Sequence, residues 1–388
     1  MFKVLLQVLA LGLLAPQASA SPIAASNPPY KVVKTTTNSY GDTIDWVMRE
    51  SQGAIATPPP AELLGKRVLA ENVTSLTFAH LIAQPQNQGP AGSVPVMRSS
   101  GRFPNKVANP LLIKDAGAQR RAVGDHYYAN SAQNVANHGG GADFSMFNPY
   151  VEDNDDFSLI QVAVARNVQD PDYGRVVQTV EAGWMHYYDV GQNSNAPFLF
   201  TFYNTDGYHH QADNLGGYNQ QYKGWVQYDS TVHPGYRFSP ISTIDGEQHD
   251  LRIQYYLYQN NWWLYVAGKA IGYYPASLFS QKQAASKTLS SGSDSIAFYG
   301  EVTTSRADGT NTDMGSGNYP DTGYGKAGYI RNIQYYDTSD ALVGYNTNLV
   351  AQDANRGYKI APFFNSGKSG WNSYMFLGGP GSDGKIGK

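Results

Sequence analysis

The sequence contains no cysteine among its 388 residues. That excludes thiol catalysis, thiolate-ligated zinc and any disulfide framework, so the fold must hold by packing alone. Charge is also scarce. Charged residues make up 15% of the chain, against the usual quarter, and the net charge is −3. Without a basic excess there is no electrostatic footprint for nucleic acid or for an anionic membrane surface. No apolar run is long enough to span a bilayer, which takes about twenty residues. The standard nucleophile and metal signatures are missing too: there is no G-x-S-x-G elbow and no H-E-x-x-H, and the eight histidines are scattered. His209-His210 with Asp213 comes nearest to a metal cluster, but neighbours on a strand point to opposite faces, so it reads as a solvated loop. Gly379 to Lys385 spells most of a phosphate loop, yet Ile386 stands where Ser or Thr is needed. The expectation is a protein with no metal and no cofactor.

What is present begins at the N-terminus. Lys3, the apolar run Val4 to Leu14 and the small-residue pattern Ala18-Ser19-Ala20 read as a cleavable secretory signal over residues 1–20, which implies a secreted, extracellular protein. Asn72-Val73-Thr74 is the one N-glycosylation sequon and is compatible with export.

Residues 21–60 are rich in Ser, Thr, Asn and Pro and read as an extended or loosely ordered segment. Residues 61–121 mix short apolar pieces with Gln/Pro/Gly stretches and end at the dibasic pair Arg120-Arg121, a candidate processing site. From about residue 122 the texture changes. Leu159 to Ala165 and Leu251 to Tyr258 alternate, while Phe198 to Tyr203 and Trp262 to Val266 are short aromatic and β-branched runs separated by Gly/Asn/Asp clusters. The 40 glycines and 29 tyrosines suit strands joined by tight turns. This predicts an all-β, antiparallel sandwich over 122–388, preceded by a smaller, partly irregular segment over 21–121.

The remaining chemistry is that of carboxylates. The chain has seven glutamates, of which Glu152, Glu181, Glu247 and Glu301 lie beyond residue 125. Glu152, among Asp153, Asp155 and Asp156, and Glu247, in an Asp-Gly-Glu turn, read as solvated loop charges. Glu181 and Glu301 sit in otherwise uncharged strand patterns. Alternation places Glu181 on a face with Thr179, Gly183 and Met185, opposite Val180 and Trp184. Glu301 shares its face with Ser295, Ala297 and Tyr299, opposite Ile296, Phe298 and Val302. A glycine beside each leaves room for something to approach. On pattern alone, a strand glutamate more often simply faces water.

These segments, with Asn261-Trp262-Trp263, Ile271 to Phe279, Met314 to Gly317, Gly323 to Ala327 and Arg331 to Gln334, resemble the neprosin family of glutamic peptidases in order and spacing over about residues 125–340. Gly41 to Trp46 and Gly92 to Val96 resemble the family's activation segment more faintly. The resemblance implies a secreted, acid-acting endopeptidase that cleaves after proline and is made with a pro-segment over residues 21–121. It also implies that Glu181 and Glu301 are the catalytic pair, acting on a bound water. One departure is the lack of the cysteines that plant members carry near the positions of Gly216 to Trp225. Trp184, Trp262, Trp263 and Tyr299 are candidates to line the cleft for a proline-containing peptide or protein, with the chain acting as a monomer, away from membranes. Two other classes remain open at this point. One is a two-carboxylate glycoside hydrolase; the other is a non-catalytic carbohydrate- or wall-binding sandwich.

Overall fold

In a computed structural model the described residues are 30–65, 70, 73–82, 88–98, 103–112, 126–188, 196–306 and 308–387. The signal over residues 1–20, Asn72 and the Arg120-Arg121 pair lie outside them. Strands dominate, and they form two large sheets and one small one.

Seven antiparallel strands make the first sheet, in the order Gly216–Tyr218, Phe198–Asn204, Gly174–Tyr187, Phe157–Asp170, Ser295–Thr303, His126–Gln133 and Leu349–Gln352. The second is built around His249–Tyr258, Gly139–Ser145 and Gly328–Tyr336, with Asn261–Val266 and Lys269–Pro275 on one side and Tyr374–Gly378 and Lys359–Phe363 on the other. Their facing surfaces form the main core. Ile160, Val162, Val164, Val180 and Trp184 of the first sheet pack against Phe144, Leu251, Ile253, Trp262 and Leu264 of the second. The first-sheet residues are even positions of the two longest strands, Phe157–Asp170 and Gly174–Tyr187, as alternation requires of one face. The all-β sandwich is thus the architecture of the chain.

The N-terminal region is more ordered than its composition suggests. Val32–Thr37, Thr43–Met48 and Ser93–Met97 form a three-stranded antiparallel sheet, because their Val, Thr and Ile residues alternate well enough to bury Val47, Val94 and Val96. Asp42 anchors this sheet to the sandwich by accepting from Arg237 Nε at 3.1 Å and Nη2 at 2.9 Å, with both side chains buried. Thr74–Ser75 adds a short parallel strand beside His249–Tyr258. Residues 103–112 then lie on the outer face of the seven-stranded sheet, where Leu112 is fully buried.

Candidate active site

Glu181 lies on Gly174–Tyr187 and Glu301 on Ser295–Thr303, with Phe157–Asp170 between them. Register fixes their relation: Glu181 is opposite Ala163 and Glu301 is opposite Leu159 on that middle strand. Gln161, halfway between, is opposite both Gly183 and Tyr299. Residues 159, 161 and 163 share one face, so the two glutamates project from the same outer surface across one intervening strand. Thr179 shares that face, and so does Tyr299, as the alternation predicts.

Neither glutamate faces water, however; both are fully buried. The buried ammonium of Lys106 closes the site, 3.3 Å from Glu181 Oε2 and in closer contact still with Glu301 Oε2. One nitrogen touching both carboxylates puts the pair within reach of a single small molecule.

Each carboxylate has its own set of partners. Glu301 Oε1 lies 2.6 Å from His126 Nδ1 and accepts from Tyr128 Oη at 3.4 Å, while its Oε2 accepts from Gln161 Nε2 at 3.4 Å. Burial alone would raise the Glu301 pKa. The positive charge of Lys106 and the hydrogen bond and charge of His126 outweigh it and hold the pKa below the ordinary carboxylate value. Glu181 Oε1 accepts from Tyr208 Oη at 2.5 Å and Thr179 Oγ1 at 2.8 Å, and its Oε2 accepts from Tyr299 Oη at 3.3 Å. Burial and the nearby glutamate charge push the pKa values of Tyr208 and Tyr299 well above the normal phenol value. Both phenols are therefore protonated donors at any working pH.

Tyr208 reaches Glu181 from a loop held in an unusual conformation. Its φ is 68°, in the left-handed region that bulky residues avoid. Asn204 Oδ1 stabilises the turn by accepting from the backbone N–H groups of Gly207 at 2.8 Å and Tyr208 at 3.0 Å. Strain of this kind, about 1–3 kcal/mol, persists only where surrounding contacts enforce it.

Several sequence-based expectations need correction. Trp184 and Trp262 are not cleft residues: both lie in the inter-sheet core, where their Nε1 groups donate to Ser145 O at 2.8 Å and Leu289 O at 3.0 Å. Trp263 is fully buried on the far face of the second sheet, against Tyr265, Tyr273 and the N-terminal residues Ala56 and Leu64. Only Tyr299 of the four candidate cleft aromatics reaches the carboxylates. The glycines do not make room for a ligand either. A Cβ on Gly300 would meet Leu377 Cδ1 at 2.6 Å and Met314 Sδ at 2.7 Å in the core, and one on Gly183 would strike the backbone of Ile160. Glu152 is not a solvated charge; it accepts from Asn311 N at 2.7 Å and Nδ2 at 3.0 Å and from Thr310 Oγ1 at 3.2 Å. Glu247, by contrast, is exposed.

Lys106, His126, Tyr128, Gln161 and Tyr208 are the site residues that sequence reasoning missed. His126 and Tyr128 alternate at the head of a strand, a weak signal. Lys106 carries none, being a single lysine in a Pro/Asn-rich stretch whose only special property is its contact with the dyad. The sequence model of the Neprosin family matches residues 154–380, more than half of the chain and inclusive of both glutamates. The protein belongs to the Neprosin family of peptidases.

Proposed function

We propose that the protein is a secreted glutamic endopeptidase, active in acid and directed at proline-containing peptides, with Glu181 and Glu301 as its catalytic pair. The observation that carries this reading is the convergence of the two carboxylates on one buried cation. A non-catalytic binding module has no use for two carboxylates gathered beneath the face of a sheet.

Once Lys106 is out of the way, two acids so close share one proton over part of the acid range. The ionised member takes a proton from a water bound between them, and that water attacks the scissile carbonyl. The protonated member hydrogen-bonds to the developing oxyanion and then protonates the leaving amine. Tyr299 and Tyr208, as protonated phenols, orient Glu181, and His126 orients Glu301.

The chain with Lys106 in place is latent, because the ammonium occupies the position of the attacking water. Residues 21–121 are the pro-segment in this reading. The ion pair has a defined pH dependence. The folded-state pKa of Glu301 is depressed, so the stabilisation is full above the ordinary carboxylate value and is lost as pH falls through the folded value. Acid therefore loosens the segment, and acid is also where a shared proton makes the pair competent.

The test is incubation of the protein at about pH 3 to 5, bracketing an ordinary glutamate pKa, with a proline-rich protein and, separately, with polysaccharides. Peptides ending in proline are expected, and both Glu181→Gln and Glu301→Gln should lose hydrolysis while keeping the circular dichroism of the parent. Release of sugar, or full peptidase activity in either variant, would overturn the assignment.

A further inference from the structure

Residues 103–112 meet the outer face of the seven-stranded sheet at three places, and only the middle one, Lys106, involves the carboxylates. At one end the ring of Phe103 lies on that of Tyr218, with centroids 4.8 Å apart and planes 19° apart, and against Tyr187 at 5.8 Å and 29°. Phe157, Leu159 and Phe202 are buried in the same cluster. At the other end Leu112 is buried in one cluster with Tyr128, Ala163, Val177 and Tyr299.

Register ties the ring cluster to the dyad. Glu181, Phe202 and Tyr218 stand directly opposite one another on three neighbouring strands, so their side chains leave the sheet on the same face. The cluster therefore begins one strand, about 5 Å, from Glu181. It is formed by the sandwich itself, and the pro-segment contributes only Phe103. When residues 103–112 leave, the same face presents an aromatic patch beside two carboxylates. An exposed apolar patch next to polar groups is what marks an interaction surface. Tyr218 adds a second sign: its hydroxyl is buried and has no hydrogen-bond partner among the described residues. Phe103 leaves that donor unused, whereas a backbone carbonyl or a tyrosine hydroxyl of a bound peptide can accept from it.

We propose that Tyr218, Tyr187 and Phe202 form a specificity subsite for an aromatic side chain of the peptide substrate, about three residues from the bond held at Glu181 and Glu301, and that Phe103 occupies this subsite in the latent chain. The distance copies the spacing from Phe103 to Lys106. This assignment rests on the peptidase reading above and refines it: the enzyme reads a ring some way from the cut in addition to the residue at the cut. Offset stacking at the observed geometry, with the area it buries, is worth about tenfold in kcat/KM for an aromatic over an alanine at that position.

The acid-activated protein is given a proteome-derived peptide library, and cut positions are mapped by mass spectrometry. Phenylalanine and tyrosine should be enriched severalfold at one position, about three residues from the cut and on one side only. Two peptides differing only by phenylalanine or alanine at that position are then compared. The kcat/KM ratio of about ten should fall towards one in Tyr218→Leu and, separately, in Tyr187→Leu. Cleavage with no aromatic enrichment, or a ratio that both variants leave unchanged, overturns the subsite and leaves the peptidase reading standing. If no library member is cut, the peptidase reading falls and the subsite with it.

Discussion

Replacing Lys106 with methionine separates the two things this residue does, filling space and neutralising charge. Methionine keeps most of the side chain's length and apolar stem, while the ammonium is lost. The wild-type nitrogen is fully buried and touches both carboxylates. Removing one partner of a buried ion pair costs about 3–5 kcal/mol. Here the lower figure applies, since Tyr208, Thr179 and Tyr299 still donate to Glu181, and Gln161 and Tyr128 to Glu301. Phe103 and Leu112 remain as apolar anchors, so the segment is loosened, not freed. About 3 kcal/mol corresponds to roughly a hundredfold rise in the population with residues 103–112 detached. Amide hydrogen exchange at pH 7 reads this directly: protection in peptides covering 103–112 should fall about a hundredfold, while the central strands Phe157–Asp170 and His249–Tyr258 keep theirs. The pH at which peptidase activity appears should also move upwards, because the variant has no ion pair left for acid to break. Unchanged exchange in the segment would refute the claim that Lys106 holds it. Equal loss of protection throughout the chain would show instead that the lysine supports the whole fold.

Other substitutions test other parts of the reasoning. Tyr208→Phe deletes the 2.5 Å hydrogen bond to Glu181 and leaves the loop's packing, so kcat should fall with little change in KM and the acid limb of the pH profile should shift; an unchanged profile would remove Tyr208 from the site. Trp184→Ala should lower stability by about 3–5 kcal/mol in denaturant unfolding, the cost of a large buried side chain, and a loss under about 1 kcal/mol would place the ring outside the core. Asp313 concerns pH and stability. Burial raises its carboxyl from 3.8 to about 7, helped by Asp383 and opposed by N–H donors from Gly387 and Tyr150. Between those values the folded chain holds a proton that the unfolded chain has lost, so stability falls as pH rises from about 4 to 7 and is level above that. Asp313→Asn should flatten this slope, raising Tm at pH 7.5 more than at pH 5; an equal change at both would show that Asp313 is ionised throughout.

Which features were legible in the sequence follows from the range over which each is encoded. Alternation is local, so the faces of Gly174–Tyr187 and Ser295–Thr303 could be read directly, and with them the fact that Glu181 lies with Thr179 and Glu301 with Tyr299. That the two strands flank a common neighbour depends on pairings of strands far apart in the chain, which no local pattern contains. The resemblance supplied that link, and the register gives it a geometric form. Lys106 illustrates the other limit. A lysine amid Pro and Asn looks like a loop charge, and only the cation-hungry site beneath it, built from residues 126 to 301, makes it a buried one. The tryptophans failed for a third reason. Trp184 alternates to the side opposite Glu181, so the pattern had already assigned it to the core; its treatment as a cleft residue followed from its being aromatic rather than from its position.

The outer face of the seven-stranded sheet left one trace in the sequence that bears on function. A sandwich sheet with one face in water should alternate apolar and polar residues, yet Phe198 to Tyr203 reads as an almost continuous apolar run. Its inward residues Leu199 and Tyr203 belong to the core, and its outward residues Phe198, Phe200 and Phe202 belong to the aromatic cluster beside the dyad. In the same way Leu159 and Met185 face outward with the glutamates while Ile160 and Trp184 face in. A strand that is apolar on both faces in an antiparallel sandwich must be covered on both. The second sheet covers one. Within the described chain, residues 103–112 lie on the other, held by Lys106 against both glutamates, by the apolar side chains of Phe103 and Leu112 near its ends, and by a hydrogen bond from Asn167 Nδ2 to Leu112 O at 3.0 Å. On the proposed reading, the apolar outer face and its cover are therefore one design: the surface that binds residues 103–112 is the surface that a peptide substrate inherits, and the charges that lock the first are those that act on the second.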